Sequence, residues 1–199
     1  MTAAAQEPSE WHRLAAVSSL VDVVARHVDD LIQLPAERLP EWLTVLGVPA
    51  GWRIARLDGN AVQPSRIAVC SRQSQGGGEA CETISVFRFT GIAPVDVVRA
   101  NADCTLRDLR ANDITAQTLM TPPVPGVIAV RSSGYFNTTG LRVWAQYSTY
   151  IAGSNQPGKG RLIQHSMFVE SGSRAALNDD ITRLSNAIHR AFLTSVGAR

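Results

Sequence analysis

From Trp11 to Leu31 apolar residues return every three or four positions: Trp11, Leu14, Val17, Val21, Val24, Val28 and Leu31 form one stripe, with Arg13, Asp22, Arg26 and Asp29 opposite. That spacing predicts an amphipathic helix over residues 10–33, which Ser9 can cap. A second, short helix is expected after Pro40, carrying Trp42, Leu43, Val45 and Leu46 and stopping at Gly47 before Pro49. From Trp52 the pattern changes to the mixed β-branched and alternating texture of strands. Trp52–Leu57 ends at the turn Asp58-Gly59-Asn60, and strands are expected over Arg66–Cys70 and Thr83–Phe89. Pro94 opens a helix with Val95, Val97, Val98 and Ala102 that runs toward Leu106 and Leu109. The connector Thr121–Gly126 lacks backbone donors at its three prolines and must be a loop or an edge. Three strand patterns follow, Val127–Phe136, Leu141–Ala152 and Arg161–Glu170; a helix capped by Ser173 and marked by Leu177, Ile181, Leu184, Ile188 and Phe192 closes the chain.

Strands joined by short loops pair antiparallel, and an antiparallel sheet covered by amphipathic helices is an α+β sandwich. The expected architecture is therefore an antiparallel sheet packed against N-terminal, central and C-terminal helices, in a single domain spanning residues 1–199. Residues 1–8 are expected to be disordered and residues 10–46 to form an N-terminal helical segment. The stripe from Trp11 to Leu31 is longer than a domain of this size needs, so the helix either docks on its own sheet or pairs with a second copy as a homodimer.

The segment RVWAQYSTYIAGSNQPGKGRLIQHSMFVESGSRAALNDDITRLSNAI, a strand meander followed by a capped helix, resembles the end of PsbP-like domains. These include the actinobacterial lipoproteins of the LpqN and LpqT type. The resemblance implies an α/β/α sandwich that serves as a binding or scaffold protein without a shared catalytic centre. A lipidation cysteine is not found near the start, so membrane anchoring does not carry over from it.

The net charge of +2 is uneven, with three arginines against seven acidic residues before position 51. The remaining arginines are scattered without an aromatic-rich basic cluster, which gives nucleic-acid binding no footprint. No apolar run is long enough to span a membrane, and MTAAAQEPSEWH lacks the basic start of a secretory signal. A cytoplasmic location is expected; the alternative is an exported protein whose leader is not part of this sequence. Cys70, Cys81 and Cys104 have no metal or redox spacing, so no metal and no cofactor is implied. A hairpin centred on Gln75-Gly76 would set Cys70 opposite Cys81, within disulfide reach, whereas unbridged they would be small hydrophobes.

Gly153-Ser154-Asn155-Gln156-Pro157-Gly158-Lys159-Gly160 has the outline of a phosphate-binding loop and carries the chain's one lysine. Gly160 stands where magnesium needs a hydroxyl, and a strand follows where phosphate needs a helix N-terminus, so the segment reads as a strand-to-strand loop. If the flanking strands pair symmetrically about Gln156, Trp144 meets Phe168, Gln146 meets Ser166 and Tyr147 meets His165. Arg142, Trp144, Gln146, Tyr150 and Gln164 then share an aromatic surface with amide and guanidinium donors, suited to a protein or small-molecule partner. A slip of one residue would exchange the faces. The expected function is a non-enzymatic binding or protein-interaction module. The alternative is a lipophilic-ligand carrier or small enzyme with a pocket between the sheet and the C-terminal helix, using Tyr147 and His165.

Overall fold

The computed structural model describes residues 18–35, 38–55, 63–71, 79–138 and 140–197. The expected Ser9 cap, the stripe from Trp11 to Val17, the disorder of residues 1–8, the turn Asp58–Asn60 and the hairpin centre Gln75-Gly76 lie outside them.

Among the described residues eight strands form one antiparallel sheet: β1 Asp29–Gln33, β2 Trp52–Ala55, β3 Arg66–Cys70, β4 Ala80–Thr90, β5 Asn112–Leu119, β6 Val127–Thr138, β7 Leu141–Ala152 and β8 Gly160–Glu170. Their order is β2-β3-β4-β8-β7-β6-β5, and β1 pairs with the second half of β4 beyond the end of β3. The helices are α1 Leu20–Ala25, α2 Glu41–Thr44, α3 Val95–Ala100, α4 Cys104–Asp108 and α5 Asn178–Gly197. Ile181, Leu184, Ile188 and Phe192 of α5 bury against Trp144, Met167, Ile163 and Tyr150 on one face of the sheet. On the other face Val21, Val24, Val98 and Leu106 of the shorter helices meet Phe89, Leu162, Ile151 and Phe136. The expected α+β sandwich is the one observed.

Several expectations are corrected. The long N-terminal helix is only α1 within the described residues; Val21 and Val24 do face the core, but the chain then turns and Asp29–Gln33 pairs with β4. Ser19 caps α1 reciprocally with Asp22, and Asp30 takes a left-handed φ of 53°, which ends any helical continuation. The homodimer through that helix rests mainly on Trp11 to Val17, which lie outside the described residues. The central helix is broken at residues 101–103 into α3 and α4, and α5 begins at Asn178, five residues past the expected Ser173 cap. β5, which has no apolar alternation, was not expected.

A further correction concerns register. Val69 lies opposite Cys81 and Cys70 opposite Ala80, one residue from the expected pairing. Cys70 and Cys81 therefore point to opposite faces of the sheet, and the bridge between them is not formed.

Candidate functional site

The β7–β8 register is also shifted by one. Trp144 pairs with Val169, Gln146 with Met167, Tyr147 with Ser166 and Ser148 with His165. The even-numbered residues of β7 thus share a face with the odd-numbered residues of β8, and that face lies under α5. The expected surface is not assembled. Trp144, Gln146 and Tyr150 are buried beneath α5, where Gln146 Nε2 donates to Ser185 Oγ at 2.8 Å and Tyr150 packs 5.3 Å from Phe192. The Arg174 guanidinium lies 4.1 Å over the Trp144 ring and closes it off further. Arg142 is exposed at the sheet's end, 4.8 Å over Tyr135 and 3.7 Å from Asp113. Gln164 sits on the opposite face, between Ser85 and Thr149.

Under α5 a row of polar groups crosses the apolar face. His165 Nε2 lies 3.2 Å from Glu82 Oε1, whose other oxygen is 3.7 Å from Arg66 Nη2; Arg66 Nη1 donates to the Leu46 carbonyl at 2.9 Å. Alongside, Arg131 Nε donates to Ser148 Oγ at 3.0 Å. His165 and Glu82 are buried, with His165 Nδ1 and Glu82 Oε2 lacking hydrogen-bond partners among the described residues. An imidazole with an acid at one nitrogen and a serine on the next strand has the ingredients of a triad, but a base must reach a substrate. His165 has no exposed surface and lines neither cavity described below. The row holds strands together beneath a helix.

The larger cavity lies on the other face, between the sheet, the N-terminal end of α1 and α4. It measures about 480 Å³ and is lined by Ser19, Thr105, Leu109, Phe136, Thr138, Val143, Tyr147, Gln164 and Phe168. Tyr147 and Phe168 meet edge to face at 5.8 Å and form an aromatic wall. Burial pushes the Tyr147 phenol well above its ordinary value, so its hydroxyl stays a neutral donor. None of the lining residues carries a formal charge. The rim is tied down at one corner: Ser18 N donates to Asp108 Oδ2 at 2.9 Å and Thr105 Oγ1 donates to the Ser18 carbonyl at 3.1 Å. Hydrogen bonds from the Ser18 amide and then the Ser18 side chain hold the Asp108 carboxyl below its usual value. A smaller notch of about 170 Å³ sits where the alternative reading put a pocket, between the sheet and the end of α5, lined by Trp42, Ile163, Phe192 and Val196 among others. Neither Tyr147 nor His165 reaches it.

Of the residues expected at a site, the structure brings Tyr147 and Gln164 together and separates both from Trp144, Gln146, Tyr150 and His165. Phe136, Val143, Leu109 and Phe168 complete the cavity. For Val143 and Phe168 the signal was present as the odd-numbered apolar positions of β7 and the even-numbered ones of β8, but it needed the correct register to be read.

The loop Gly153–Lys159 joins β7 to β8 as expected and cradles no helix N-terminus. Its ends are pinned by close approach. A Cβ on Gly160 would lie 2.7 Å from the Phe89 ring, and one on Gly153 would lie 3.0 Å from the Gly91 carbonyl. No group of histidine, cysteine and acidic residues among those described could hold a metal, and no described helix is long and apolar enough to cross a membrane.

No protein-family model matches the chain, and no curated protein does. Among solved structures it is similar to LpqN of Mycobacterium tuberculosis, described as involved in cell envelope biogenesis: the TM-score is 0.61 at 14% identity, over 85% of this chain and 95% of that one. The two share a fold.

Proposed function

We propose that this protein is a non-enzymatic binding protein of the PsbP-like, LpqN-type fold whose site is the cavity framed by α1, α4, β6, β7 and β8. The observation that carries this reading is the cavity itself: about 480 Å³, walled by Phe136, Val143, Tyr147 and Phe168, with no charged residue in its lining. Pockets of roughly 300–1,000 Å³ with apolar walls and a few placed polar groups are the usual form of small-molecule sites. The chemistry selects an uncharged, largely apolar ligand, because an ion placed there would lose its hydration without a counter-charge. The Tyr147 hydroxyl and the Gln164 amide supply orienting hydrogen bonds. The likeness to a protein of cell envelope biogenesis supports the exported alternative over the cytoplasmic one and fits an apolar ligand.

The test is binding of Nile red, an uncharged dye that brightens in apolar surroundings. Val143→Phe adds a ring to the half-buried cavity wall and should weaken dye binding at least tenfold while the unfolding midpoint stays close to that of the parent. Unchanged binding by a folded Val143→Phe protein would remove the cavity as the site.

A further inference from the structure

β5 meets the two helical layers only near its ends, through Ile114 and Leu119. Asn112, Asp113 and Thr115–Thr118 are exposed, so the middle of the strand faces solvent on both sides. Among the described residues only β6 pairs with it, which leaves its outer edge as a row of backbone donors and acceptors without a partner strand. Edges of this kind are commonly blunted with lysine, proline, inward charges or very short strands. The opposite end of the sheet follows that practice: β2 has four residues and carries Arg53. β5 has eight, bulged only at its start between Asn112 and Thr115, and the chain carries no charge from Ile114 through Val130.

We propose that β5 is a self-pairing edge, on which a second copy of this chain docks its own β5 antiparallel about a two-fold axis at Gln117. Outward backbone groups call for an extended polypeptide, since only that chemistry completes a ladder. The charge pattern selects a second copy: an uncharged strand offers a charged peptide nothing to pair with, while two copies meet without opposing like charges. Centred on Gln117, the register sets Thr115 across from the partner's Leu119, Ala116 across from the partner's Thr118 and Ile114 across from the partner's Met120. Met120, 85% exposed and the most exposed large hydrophobic residue described, thereby gains an apolar neighbour. Threonine and glutamine on both faces suit a ribbon that stays wet on either side while hydrogen-bonded along both edges. The contact is a single strand pair and falls short of the roughly 1,200 Å² of a stable interface, so the association is reversible and concentration-dependent. A closed two-fold pair also consumes the edge and stops further strand addition.

Sedimentation velocity of the full chain over a wide concentration range tests this. The expected result is a monomer–dimer equilibrium. Gln117→Lys and Gln117→Glu, both at an exposed position, should each sediment as a monomer at concentrations where the parent dimerises, with unfolding midpoints like the parent's. An equal mixture of the two should restore the dimer, because unlike charges then face each other across the axis. A parent that stays monomeric throughout, a dimer that survives Gln117→Lys, or a mixture that fails to associate would each overturn the proposal. None of these results tests the cavity, whose lining includes no residue of β5.

Discussion

Gly160 shows how one missing atom sets the sheet. It lies directly opposite Phe89, whose ring occupies the space a Cβ would need, and Phe89 in turn packs into the core beside Val24 and Leu162. Gly160→Ala must displace that ring, and overpacking of this kind costs about 1–3 kcal/mol; denaturant unfolding should show a loss in that range. Trp144 tests the corrected site assignment at the same scale. With 6% of its surface exposed and Arg174 stacked on it, it is core, and Trp144→Ala should cost roughly 3–5 kcal/mol. A fully stable Trp144→Ala protein would mean that α5 does not cover the ring. At the cavity rim, Asp108 titrates lower when folded than when unfolded, because it accepts the Ser18 amide. Its contribution is therefore complete above the ordinary aspartate range and is lost as pH falls through the lowered folded value. Following the Ser18 amide by NMR against pH should give a midpoint below that of an ordinary aspartate, and Asp108→Asn should abolish the titration.

Among the elements, those with a clear period were legible in the sequence. β7 runs over the residues its alternation marks, β6 and β8 differ from expectation by two residues at most, and Leu177, Ile181, Leu184, Ile188 and Phe192 are the buried stripe of the C-terminal helix region. Register was not legible. The loop from Gly153 to Lys159 is held by the Gly91–Ser154 bridge and by Thr90 Oγ1 accepting from Gly158 N, contacts made by another strand's end that no local pattern reveals. A one-residue slip there exchanged every face of the meander, and with it the whole candidate site, leaving Tyr147 and Gln164 as its surviving members. β1 and β5 escaped notice for a different reason. β1 continues the helical stripe of α1 in sequence, and β5 is polar on both faces, so neither carries an alternation of its own. Where strands meet under α5, the Arg66–Glu82–His165 row makes a further prediction. Removing one member of a buried ion pair leaves the other uncompensated, so Glu82→Ala should destabilise by about 3–5 kcal/mol. A near-neutral change in unfolding free energy would show that solvent reaches the row.

The whole molecule is an antiparallel sheet with two unequal coverings. On one face the twenty-residue α5 makes a continuous seal, interrupted near its end by the smaller notch. On the other, among the described residues, short helices and the strap at Ser18 cover the sheet in pieces, and the larger cavity opens between them. This asymmetry puts the proposed binding site opposite the C-terminal helix rather than beneath it. The most direct test is an amide and methyl NMR titration of the full chain with 1-decanol, an uncharged single-chain amphiphile. The account predicts shifts concentrated on Leu109, Phe136, Val143, Tyr147, Gln164 and Phe168, with Gln146, His165 and Ile188 unmoved. Shifts centred on the α5 face, or no saturable change at all, would contradict it.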